Sequence, residues 1–144
     1  MNIESLPSFT LGHMSVEMTA LALAIVLGFV HLFIAVHVIT NERGFMWNMG
    51  ARDTSEPLAS KLAGRLDRAF WNFLETFPFF AAAVLMAAIL GRHSWQTVLG
   101  AELYIAGRVI YLPLYALGIP FIRTLVWLAA TIGIFLVLAA LFAG

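Results

Sequence analysis

Four long apolar runs separated by shorter polar connections lay out the chain, at about 15–40, 60–91, 94–118 and 120–143. Each exceeds the roughly 20 residues that an α-helix needs to cross a bilayer core, so the pattern predicts an all-α chain of four transmembrane helices. The first run, Met18 through Val36, is broken only by His31, with Ser15 and Glu17 marking its start and Asn41-Glu42-Arg43-Gly44 its stop. A longer polar connection follows, punctuated by Gly50 and Pro57, in which Trp47 suits the headgroup level and Arg52-Asp53 reads as a local turn or ion pair. Pro78 lies inside the second run and predicts a kink that frees a carbonyl near Leu74. Gly118-Ile119-Pro120 is a tight turn, with Gly suited to end one helix and Pro to begin the next.

The polar positions inside the runs carry the candidate chemistry. In the second run Arg65, Arg68, Asn72 and Glu75 recur at offsets of three, four and three, which draws a polar stripe along one helix face. The third run carries a matching stripe of Tyr104, Arg108, Tyr111 and Tyr115, at offsets of four, three and four. Its tyrosines climb the axis instead of sharing one depth, which favours a lined pocket or helix interface over an aromatic belt. Arg108, deep in its run, needs an anion, and Glu75 is the expected partner. Arg123 and Thr124 fall in the first turn of the last helix. There a basic side chain either snorkels to the headgroups or joins free backbone amides in an anion site, and position alone leaves both open. His31 and His37 are six positions apart and suit packing or hydrogen bonding, and His13 with Glu17 at a frayed entry makes a poor ligand pair, so no metal is expected.

Composition narrows the classes. Of 144 residues, 62% are hydrophobic and 11% charged, and the mean hydropathy is +0.93, which marks an integral membrane protein with room for a single domain, 1–144. Net charge is zero with no basic tail, so a nucleic-acid partner is not expected. The absence of cysteine removes disulfides and thiolate nucleophiles of the chain's own. Before the first run there is no Lys or Arg, so a cleaved secretory signal is not expected and the first span is read as retained. Arg43, Arg52, Lys61, Arg65, Arg68 and Arg123 fall on one side of the membrane and Arg92 on the other. This distribution predicts exoplasmic termini and a polar site open to the cytoplasm.

These residues resemble the MAPEG family, the membrane-associated proteins of eicosanoid and glutathione metabolism, in a bacterial-type form for the bacterial inner membrane. The resemblance rests on Arg65-x-x-Arg68-Ala69-x-x-Asn72-x-x-Glu75-x-x-Pro78-Phe79, then Gly107-Arg108 with Tyr115, then Pro120-x-x-Arg123-Thr124, and it covers essentially the whole chain. It implies an up-down four-helix bundle assembled as a homotrimer, with glutathione bound between neighbouring subunits and conjugated to, or used to reduce, lipophilic small molecules drawn from the bilayer. Under it Arg68, Asn72 and Glu75 meet the charged backbone of the tripeptide, Glu75 facing its ammonium group. Arg108, Tyr111 and Tyr115 line the site from span three. Arg123 stabilises the thiolate, and Thr124 stands where members often place a serine. Phe70, Trp71 and Tyr111 replace polar groups that several glutathione-using members carry, which predicts a looser grip on the carboxylates of glutathione.

Two rivals belong to other classes. One is a non-catalytic structural or accessory membrane protein, in which Arg68, Asn72, Glu75 and Arg108 form a packing network between helices. The other, a small transporter or channel, is disfavoured because neither a pore nor an inverted repeat is visible.

Overall fold

The computed structural model describes residues 14–53 and 57–143. The reading of the extreme amino terminus, His13 included, lies outside them. Five helices follow in order: α1 (Val16–Arg43), the short α2 (Phe45–Met49), α3 (Lys61–Ile89), α4 (Trp95–Leu117) and α5 (Pro120–Phe142). Among the described residues four of these, α1, α3, α4 and α5, are long and apolar enough to cross a membrane. They pack as an up-down four-helix bundle, the fold class the runs predict.

The ends follow from local chemistry. Ser15, Ser60 and Ser94 each turn a hydroxyl back onto the amide three residues on, satisfying a donor that the first turn leaves open. At the end of α4, Gly118 takes a left-handed φ of 76°, and a Cβ there would meet the Arg65 guanidinium at 2.5 Å. Arg65 Nη1 donates to the Ala116 carbonyl at 3.2 Å, so the start of α3 and the end of α4 are tied at one end of the bundle. At the other end Glu17 is buried, accepting from Thr97 Oγ1 at 2.6 Å with His93 Nδ1 at 3.4 Å, which fastens the start of α1 to the turn before α4.

Helix lengths set the membrane register. At about 1.5 Å per residue the 28 residues of α1 and 29 of α3 run past a hydrocarbon core of about 30 Å. Because α1 runs into α3 through α2, a shared overhang falls where Arg43, Lys61, Arg65 and Arg68 sit.

With lipid outside, helices associate through close packing more than through burial from water. The closest approach is between α4 and α5, where a Cβ on Gly133 would lie 2.5 Å from the Gly100 carbonyl oxygen and one on Gly100 equally near that of Gly133. Tyr104, Phe80, Val84 and Val137, all with 0% exposure, fill the centre beside small alanines. Gly133→Ala is therefore expected to force the helices apart and cost about 1–3 kcal/mol. Thermal unfolding in detergent reads this as a lowered midpoint, and an unchanged midpoint would contradict the packing.

Candidate functional site

The polar stripe on α3 divides in two. At about 100° per residue, Asn72 and Thr76 lie within about 20° of Arg65, whereas Arg68 and Glu75 lie about 60° and 80° further round. Burial follows that division: Arg65, Asn72 and Thr76 are half-buried and Arg68 and Glu75 exposed. The inner edge is bonded entirely to α4, Arg65 to its last turn and the other two to Arg108.

Arg108 is fully buried. Its Nη1 donates to Asn72 Oδ1 at 2.8 Å and its Nη2 to Thr76 Oγ1. The rings of Tyr104 and Tyr111 stand 5.5 and 5.4 Å from the guanidinium carbon, close enough for their faces to share its charge. The expected Arg108–Glu75 pair is therefore replaced by neutral acceptors, because Thr76 turns toward α4 and Glu75 turns outward. Glu75 still acts on Arg108 electrostatically. An arginine only donates, so Asn72 must present its oxygen to Arg108 and direct its amide nitrogen elsewhere.

That amide borders a pocket of about 210 Å³ lined by Asn72, Tyr111, Arg123, Thr124 and Trp127. Three helices supply it: α3 gives Asn72, α4 gives Tyr111 and the first turns of α5 give the rest. Arg123 lies with its guanidinium carbon 4.3 Å above the Tyr115 ring, and Tyr115 meets Tyr111 edge to face at 5.4 Å. The tyrosine face of α4 thus orients the cation. Arg123 leans on an aromatic wall beside a pocket, so snorkelling alone does not describe it. The start of α5 has no side-chain cap, which leaves backbone donors open beside the pocket.

The structure brings together Asn72, Tyr111, Arg123 and Thr124, with Tyr115 and Arg108 directly behind them. Arg68 and Glu75 do not line this pocket. Thr124 donates its hydroxyl hydrogen to the Pro120 carbonyl at 3.1 Å, so it offers the pocket lone pairs in place of a proton. Trp127 is the residue that sequence reasoning missed; its Nε1–H is buried with no acceptor among the described residues. Its position four after Arg123 is the available signal, since that offset shares a helix face.

The remaining candidates fall elsewhere. His31 is buried and stacks on Phe73 at 5.0 Å, with neither ring nitrogen bonded among the described residues. His37 pairs with Asn41 at 3.0 Å on the outer face of α1. Phe70 lines an apolar groove of about 280 Å³ between α1 and α3, and Trp71 is exposed.

A family model described as the MAPEG family matches residues 20–143. No curated protein matches the chain, and no solved structure does.

Proposed function

The chain belongs to the MAPEG family, and on that premise we propose that this integral membrane protein is a bacterial-type glutathione or related-thiol transferase or peroxidase acting on lipophilic electrophiles. The observation that carries the reading is the pocket in which Arg123, Asn72, Tyr111, Thr124 and Trp127 converge. Its donors suit an anionic guest. Arg123 supplies charge, and the Asn72 amide and Trp127 indole supply N–H groups that the chain itself does not use.

The chemistry follows from the thiol. A free thiol has a pKa of about 8.5–9 and is mostly protonated at neutral pH, whereas a guanidinium beside the sulfur favours the thiolate. The thiol proton passes to water and the thiolate sulfur attacks an electrophilic carbon. As the S–C bond forms, the leaving group departs with its bonding pair. Tyr115 holds Arg123 in place for this step, and the hydrocarbon around the bundle supplies the lipophilic partner.

The pocket of about 210 Å³ is smaller than the roughly 300 Å³ at which ligand clefts usually begin. It fits the thiol end of a tripeptide, and the rest of the ligand needs another wall. Arg68 and Glu75 are exposed on the outer edge of α3, with no hydrogen bond or ion pair of theirs among the described residues. Ionised groups entering lipid are costly without partners. A neighbouring subunit of a homotrimer covers that edge in this reading and brings Arg68 and Glu75 to the backbone charges of glutathione. The basic end faces the cytoplasm and the termini are exoplasmic.

Calorimetric titration of the detergent-solubilised protein with glutathione tests the reading, with native mass spectrometry reporting assembly. Saturable heat below millimolar ligand from a trimer is expected. An intact trimer with no heat at millimolar glutathione overturns the thiol site. That result favours the second reading, a structural or accessory protein, which the Asn72–Arg108–Thr76 network between α3 and α4 independently supports.

A further inference from the structure

A second cleft, of about 410 Å³, opens where α1 leaves its apolar run. Val36, Ile39 and Leu58 form its apolar side. Its polar rim is built from Arg43, Trp47 and Arg52, with Asp67 of α3 on its border. Both guanidiniums pack on the Trp47 ring, Arg43 at 4.3 Å from the centroid and Arg52 at 5.5 Å.

Arg52 is held there at a backbone cost. Its φ of 57° lies in the left-handed region that a non-glycine residue rarely adopts. Its Nε and Nη2 donate to the Asn48 carbonyl at 3.2 and 2.9 Å, and Nη2 also donates to Asn48 Oδ1. Asn48 in turn donates to Thr40 Oγ1 at 3.0 Å. This chain of bonds fixes one edge of the guanidinium to α1 and leaves Nη1 without a hydrogen bond among the described residues. The nearby Glu42 carboxylate does not line the cleft, for it accepts from the amides of Ala59 and Ser60 that lead into α3.

We propose that this cleft binds the headgroup of an anionic phospholipid. Its polar rim and apolar side meet where a membrane passes from headgroup to acyl chain, the level that Trp favours. Arginine matches phosphate oxygens in geometry as well as charge. Two arginines against the carboxylate of Asp67 leave the lining with a surplus positive charge. An amphiphile with a phosphate head meets both halves of the cleft, which a free anion does not. The site is separate from the Arg123 pocket and does not depend on the thiol reading.

Native mass spectrometry of the full-length protein in neutral detergent tests it, with phosphatidylglycerol and phosphatidylcholine of equal chain length in competition. The anionic lipid is expected to predominate by about tenfold, from roughly 1 kcal/mol per basic residue at a membrane surface. Arg52→Gln is expected to bring the ratio close to one, and Asp67→Asn to raise it. Millimolar inorganic phosphate is expected not to displace the lipid. Equal occupancy by the two lipids in the parent overturns the proposal without recourse to any variant. Displacement by inorganic phosphate overturns it in favour of a soluble-anion site. Loss of lipid in Asp67→Asn overturns it in favour of an aminophospholipid, whose ammonium that carboxylate would hold.

Discussion

Replacing Arg123 with alanine is expected to lower conjugation of an activated aryl chloride by about 100-fold near pH 6.5, and by only a few-fold near pH 9. The pH dependence is the informative part. If Arg123 acts by favouring the thiolate, its removal returns the bound thiol toward an ordinary pKa of about 8.5, where roughly 1% is ionised at pH 6.5. Alkali supplies what the cation no longer does, so the variant's profile climbs through the range in which the parent's is level. Arg123→Lys is expected to recover part of the loss, since it keeps a charge but forfeits the planar stacking on Tyr115 seen at 4.3 Å. Thiolate absorbance of the glutathione complex should follow the same order. A deficit that does not vary with pH would give Arg123 a binding role alone.

The difference between what the chain's pattern reveals and what it hides is clearest on α3. Length and apolarity alone mark the four spans, and Ser15, Ser94 and the Gly118-Ile119-Pro120 turn punctuate them, because ends and runs are local properties. Which edge of a stripe faces which neighbour is a matter of helix rotation, and rotation is decided by packing elsewhere in the bundle. Arg65, Arg68, Asn72 and Glu75 therefore read as one stripe while the fold divides them, and Thr76, a hydroxyl among phenylalanines, goes unnoticed although it bonds the buried arginine. Trp127 is hidden for another reason. In an apolar span an indole reads as lipid-facing, and only its place one turn beyond Arg123 makes it part of a wall. Gly100 and Gly133 reveal their role only when the α4–α5 contact is known.

The division of α3 leads to a substitution that separates binding from architecture. Asn72→Asp is expected to unfold no more readily than the parent, yet to bind glutathione about tenfold more weakly. The aspartate keeps the oxygen that Arg108 uses at 2.8 Å and adds a charge, so a buried cation held only by neutral acceptors gains an ionic partner. On the pocket side the two amide hydrogens are replaced by an acceptor, and an anionic guest meets repulsion in place of a donor. Arg108→Met has the opposite profile. It removes the donor from both Asn72 and Thr76 inside a lipid-spanning bundle, and leaving such groups unpaired costs about 1–3 kcal/mol. Unfolding in detergent and glutathione titration of the same samples read both variants. If the network is only a brace, Asn72→Asp leaves affinity where it was. If the Asn72 amide belongs to the site, the variant holds its fold and loses its ligand.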